Sequence, residues 1–421
     1  MIELTKFSNG LTVVTDNRTS VRSASVGFWI GAGSAFESAD DNGISHFTEH
    51  VMFKGTEKYS AREIAEKFED YGANFNAFTS KEATCYYFKC IDENTENCFG
   101  LLSHILYESV FGDEELDKER KVIVEEINMV EDEPEDLCYD VLAQKIYAGT
   151  ALEKTILGPV SNVLSFKSVD VKNFVKKMYT PDNTVIAFTG NITHDEAVKL
   201  TEKYVLPLCG NGNCKKIYAP RVFGGGFGKY EKDFEQVNAA IAFPSLEFDN
   251  EMSAIQSVVS FCFGTGMSSR LFQRLREQLG LVYNVYTSAS SYKNNGVFGI
   301  YLNTSGKNTE KAIVAVREEL DRLIGSGLTE KEIARAKTQL KSSMLFGMEN
   351  ILTMMTACGK YALYTGKAYD IEKSVCEIEQ VDETDVRSYC EKYLVATAAS
   401  MAYVGKKSYI SGKDIFGRFT E

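Results

Sequence analysis

The chain has 421 residues, 44% of them hydrophobic and 25% charged, which is enough for two or three domains that each bury a core, and it reads as a soluble globular protein. Its 46 basic and 59 acidic residues leave a net charge of -13, which repels nucleic acid and anionic membrane surfaces. The ten cysteines are scattered without a CxxC pair or regular spacing, so they read as reduced thiols and not as a secreted disulfide framework.

The first residues, MIELTKFSNGLTVVTDN, carry neither an apolar signal stretch nor an Arg-rich amphipathic presequence. No segment reaches the roughly 18 uncharged apolar residues that a spanning helix needs. A cytoplasmic protein without membrane contact is expected. Strand-like runs follow at LTVVT (11–15) and SASVGFWIG (23–31), later joined by TCYYFKCI (84–91) and NTVIAFTGNI (183–192). They alternate with amphipathic helical stretches at Ala61–Tyr71, Asn94–Val110, Glu114–Glu131 and Asp195–Val205, the pattern of an α+β or α/β domain.

Between the second strand and the first long helix lies NGISHFTEHVMFKGT, with His46, Glu49 and His50 spaced H-x-x-E-H. On a helix, positions i, i+3 and i+4 share a face, so two imidazoles four residues apart grip one metal ion. Two neutral histidines are zinc ligands, and the glutamate between them is left free to take a proton from water. A catalytic zinc has three protein ligands and an open position, and the acidic helix Glu114–Glu131 is the natural donor of the third. There Glu119 and Glu126 stand seven residues apart, two turns along a face that also carries Val122 and Ile123. Glu126 is assigned as the ligand and Glu119 as its support. The ordinary reading of an isolated His or Glu is a surface or core side chain, but only four histidines occur in the whole chain, His46, His50, His104 and His194.

Around 210–228 the texture changes to GNGNCKKIYAPRVFGGGFG, a glycine-rich linker that does not run from a strand into a helix as a phosphate-binding loop must. The division expected is a metal-binding domain over 1–209, the linker, and a homologous domain without a metal site over 229–421. In the second half AAIAFPS and GVFGIYLNTS are strand-like and Met252–Phe263 is helical. Aligning Glu115 with Glu332 sets Ala336 against Glu119 and Ser343 against Glu126, and no histidine lies in that half, so it cannot repeat the site.

Three segments, HFTEH (46–50), ERKVIVEEINMVEDEP (119–134) and FGTGMSSRLFQRLREQLGLVYNVY (263–286), resemble the pitrilysin (insulinase-like) metallopeptidases, in the branch of two-domain chains similar to mitochondrial processing peptidase. The resemblance runs over essentially the whole chain. It implies an α+β fold of two homologous αβ domains, with mixed sheets packed by helices, forming half of a four-domain clamshell. It implies one zinc ion per chain on His46, His50 and Glu126, with Glu49 as general base and Glu119 as an additional acidic residue. In the second half it implies that Arg276 and Tyr283 contact substrate and stabilise the polarised carbonyl. GANFNAFTSKEATCYYF (72–88) resembles the family strand that pairs with an extended substrate, which places Asn76 and Ala77 against the peptide, with Phe75 and Phe78 as pocket or core.

Because the full catalytic unit of that family has four domains, a homodimer with composite active sites is implied, in which Arg276 and Tyr283 act in trans. The implied activity is endopeptidase cleavage of short or unfolded peptides, of oligopeptidase or processing type. Three rivals remain: a non-catalytic structural or assembly subunit of the same fold, a metal-dependent hydrolase of other substrates, and a catalytic chain that needs a different, inactive partner chain in place of a second copy. One departure from the family pattern is AGTALEKTILGP (148–159), where an H-P-L-G-like segment often stands; it touches local pocket detail only.

Overall fold

The structure is a computed structural model that describes residues 2–406 and 412–421. In the first half the apolar runs pair as β1 (Ile2–Lys6), β2 (Thr12–Asn17), β3 (Ser23–Ile30), β4 (Asn74–Thr79), β5 (Thr84–Ile91) and β6 (Thr184–Gly190), in the order β1-β2-β6-β3-β5-β4. Neighbours are antiparallel except β2 and β6, which are parallel. Every residue of β3 from Ala24 to Ile30 is buried, so both faces of the sheet are covered there. Phe28 stacks on Phe99 of the helix Thr95–Glu108, at 5.3 Å between centroids. Its neighbour Trp29, pointing to the opposite face, donates its indole N–H to the Met355 sulfur at 3.4 Å.

Met355 belongs to the helix Ile351–Thr365, which lies across β2, β3 and β6 although it comes from the second half of the chain. Two glycines let it approach. A Cβ on Gly27 would stand 2.3 Å from the Met355 sulfur, and one on Gly359 would stand 2.1 Å from the Trp29 ring nitrogen.

The second half forms β7 (Gly226–Glu231), β8 (Gln236–Pro244), β9 (Val282–Ser291), β10 (Gly296–Ser305) and β11 (Ser400–Gly405), in the order β7-β11-β8-β10-β9, with β7 and β11 parallel. Strand for strand this repeats β2-β6-β3-β5-β4, so the α+β class with two homologous αβ halves holds. Reciprocally, the helix Pro134–Ile146 of the first half lies on β7, β8 and β11. One compact unit therefore comprises Met1–Ile127, Thr155–Ile217 and Leu345–Asp370, and the other Asn128–Lys154, Tyr218–Met344 and Ile371–Glu421. Of the five points at which the chain passes between them, Ile217/Tyr218 lies inside the glycine-rich stretch, and β7 begins within that stretch.

Among the described residues no helix is long and apolar enough to cross a membrane. The ten cysteines are free thiols, eight of them buried.

Candidate metal centre

The H-x-x-E-H segment forms the helix Ile44–Met52. Ile44, Phe47 and Val51, spaced i, i+3 and i+7, face the core and fix the roll of the helix. That turns His46, Glu49 and His50 together to the adjacent face. The helix starts at Gly43, whose φ of 100° is left-handed and whose Cβ, if present, would stand 2.6 Å from the Leu157 carbonyl oxygen. Its first amides are capped from outside by the buried Glu37, which accepts from Gly43 N at 2.8 Å, Ser45 N at 2.8 Å and Asn42 Nδ2 at 2.9 Å.

The acidic helix Asp113–Asp132 buries Leu116, Glu119, Ile123 and Ile127, while Val122 is 50% exposed. Glu126 presents Oε2 at 3.6 Å from His46 Nε2 and 3.4 Å from His50 Nε2. The three ligand atoms lie within 4.8 Å of one another, and among the described residues this is the group whose donor atoms converge as a metal site requires. Donors bonded at about 2.1 Å to a tetrahedral centre stand about 3.4 Å apart, so the set fits a His₂Glu zinc site.

Glu119 is also brought in: its Oε2 lies 3.1 Å from His50 Nδ1 and its Oε1 2.7 Å from Lys54 Nζ. A proton held on Nδ1 by that carboxylate would leave Nε2 as the ligand nitrogen once a metal displaces the proton it shares with Glu126. Burial acts to lower the pKa of His50, but hydrogen bonds to Glu119 and Glu126 outweigh it and push it up to about 9. For His46, burial and the neighbouring His50 push it down to about 4. Burial likewise acts to raise Glu119, yet His50 and Lys54 hold it below the ordinary carboxylate value, and hydrogen bonding to His50 does the same for Glu126. The centre is thus built from paired carboxylates that favour a cation among them.

Glu49 stands apart from this ligand set. Burial raises its pKa, and the opposing hydrogen bond comes from Thr79, whose hydroxyl donates to Oε2 at 2.5 Å. Thr79 ends β4, the free edge of the sheet. On that edge Asn76 is exposed and Ala77 half-buried, with Asn76 Oδ1 accepting from Ala77 N at 2.8 Å. Phe75 packs on Phe68 and Phe53, and Phe78 on Trp29 across the strand, so both phenylalanines are core contacts.

Arg276 and Tyr283 belong to the other unit. Arg276 lies exposed on the π-helical segment Phe272–Gln278, its guanidinium 4.9 Å from the Phe272 ring, and Tyr283 at the start of β9 is 62% exposed. Sequence reading missed Glu37, Lys54 and Thr79. The signal for Glu37 was faint: an acid shortly before a glycine-started helix. For Lys54 and Thr79 there was none, since tertiary folding makes their contacts.

The sequence pattern of insulinase (peptidase family M16) matches residues 12–160, and that of the peptidase M16 inactive domain matches residues 165–340. An uncharacterized zinc protease, YmxG, of Bacillus subtilis (strain 168) is 37% identical over 382 residues, 91% of this chain and 93% of that one. A probable mitochondrial-processing peptidase subunit beta of Arabidopsis thaliana is 30% identical over 414 residues, 96% of this chain and 78% of its own. The solved peptidase M16 inactive domain from Pseudomonas fluorescens shares the fold with a TM-score of 0.91 at 19% identity, covering 97% of this chain and 98% of that one.

Proposed function

This chain belongs to the insulinase (M16) family of peptidases, and from that premise we propose that it is a zinc-dependent endopeptidase of short or unfolded peptides, with His46, His50 and Glu126 holding one zinc ion per chain. The observation that carries the reading is the convergence of those three ligand atoms beside a separate, half-buried carboxylate, Glu49. Zinc bound there supplies a Lewis acid that polarises a carbonyl and lowers the pKa of water towards about 7.

The side chains do the rest. Glu49 takes the proton of the attacking water and passes it to the amine that leaves, and Thr79 holds its carboxylate by one oxygen so that the other is available. Glu119, itself held by Lys54, orients His50. The free edge of β4 at Asn76 and Ala77 takes an extended peptide by main-chain hydrogen bonds, which makes binding tolerant of sequence. Arg276 and Tyr283 donate to the oxyanion. We assign them to the partner copy's site in a cytoplasmic homodimer, an assignment that rests on the family resemblance; the ten free thiols support a reducing compartment.

Two outcomes test this reading. Wild type loaded with zinc will cleave an unstructured, internally quenched peptide, and His50→Ala will lose both the metal and the cleavage, measured on one sample by elemental analysis and fluorescence. Inert metal-loaded wild type would point to the non-catalytic alternative. For the composite site, a chain carrying Glu49→Gln and a chain carrying Arg276→Ala with Tyr283→Phe will each be nearly inactive as homodimers. The purified mixed dimer, with one intact site of two, will recover about half the wild-type rate if the pair acts in trans, and nothing if it acts within its own chain.

A further inference from the structure

The second unit contains a cavity of about 240 Å³ whose wall includes Tyr283. Across its floor Asn238 of β8, Asn303 of β10 and Asn284 of β9 stand directly opposite one another in register, so the three carboxamides share one face of the sheet. Asn303 Nδ2 donates to Asn238 Oδ1 at 3.1 Å. That bond uses one donor and one acceptor of the pair, and the remaining Asn238 Nδ2 and Asn303 Oδ1 have no partner although both atoms are buried. Asn238 is only 4% exposed. A buried amide that lacks partners is costly, and a matched donor and acceptor left over side by side call for a group offering the complementary pair.

The remaining wall combines the rings of Tyr286 and Tyr301 with the side chains of Glu135 and Gln236. Tyr286 and Tyr301 stack with centroids 5.3 Å apart, and the Tyr286 hydroxyl donates to Glu135 at 2.5 Å. Burial first, with Glu135 and Tyr139 adding to it, keeps the Tyr286 phenol protonated far above its ordinary range, so Glu135 is engaged by a neutral donor. The cavity thus presents an amide-matched floor beside a stacked aromatic pair, with the Glu135 carboxylate at its wall.

We infer that this cavity is a specificity pocket for a carboxamide side chain, glutamine or asparagine, of the peptide. Its carbonyl accepts from Asn238 Nδ2, its NH₂ donates to Asn303 Oδ1, and its methylenes lie on Tyr286 and Tyr301. The inference rests on the peptidase reading for its substrate and for Tyr283, which places the pocket beside a residue flanking the scissile bond.

The test uses matched quenched peptides carrying Gln, Leu, Glu or Lys at each position in turn. At one position the Gln peptide should be cleaved with kcat/KM about tenfold above its Leu and Glu counterparts, the worth of a neutral hydrogen-bond pair. Asn303→Leu should bring the Gln-to-Leu ratio close to one. Asn303→Asp, a shape-conserving variant in case the first does not fold, should lower the same ratio and raise the Lys peptide, a switch that loss of packing alone would not produce. Wild type without a carboxamide preference at any position, or an unchanged ratio in Asn303→Asp, overturns the pocket. Fluorescence anisotropy of the labelled peptides separates the two readings: carboxamide-dependent binding without any cleavage would sink the peptidase reading and keep the pocket, while cleavage without the preference would do the reverse.

Discussion

Glu49→Gln protein will carry as much zinc as wild type and turn over peptide roughly 10²–10⁴-fold more slowly, the usual contribution of a positioned general base. Glu49 is not among the converging ligand atoms, so the variant leaves the His46, His50 and Glu126 set intact. The substitution is nearly isosteric, and the new carbonyl oxygen still accepts the Thr79 hydroxyl, so the contact between the motif helix and β4 survives. What disappears is the proton-accepting oxygen, whose half-buried position raises its proton affinity. Metal content and steady-state rate on the same preparation decide the matter. Near-normal turnover at full zinc would move the base elsewhere, and loss of zinc would make Glu49 part of the metal site.

Separating the halves will abolish the native fold of each. A fragment of residues 1–217 holds the first sheet complete but lacks the helix Ile351–Thr365 that covers it. That helix buries Ile351, Met354, Met355, Cys358 and Ala362. At about 1.5–3 kcal/mol for each large apolar side chain, plus the exposure of Trp29 beneath, the loss rivals the 5–15 kcal/mol that holds a domain folded. The fragment alone is expected to melt without a cooperative transition. Co-expressed with residues 218–421, which carry that helix and lack Pro134–Ile146, it should copurify and regain one. A soluble 1–217 fragment with a sharp thermal transition would contradict this.

The convergence of His46, His50 and Glu126 was legible because its information is local. Three residues within one turn and a glutamate pair two turns apart obey helical spacing, and spacing survives without knowledge of the fold. The repetition of the halves was legible too, as a recurring order of strand and helix patterns. β3 reads as a strand from its apolar run alone, because burial on two faces erases the alternation that would say which side chains point to which face. Periodicity also could not say which sheet a helix covers: Ile351–Thr365 shows which of its residues are buried, and nothing in them names Trp29 and Gly27 as the partners. Lys54 and Thr79 escaped for the same reason, since each is an ordinary polar residue until folding sets it beside Glu119 or Glu49.

The exchanged helices also bear on how the protein is made. A ribosome releases the first sheet, whose last strand ends at Gly190, long before residue 351, so β2, β3 and β6 must wait with one apolar face uncovered while about 160 more residues are synthesised. Contacts so distant in sequence close slowly, and the waiting surface is the kind that holding chaperones bind. The newborn chain should therefore complete the unit around that sheet only late, near the end of its synthesis.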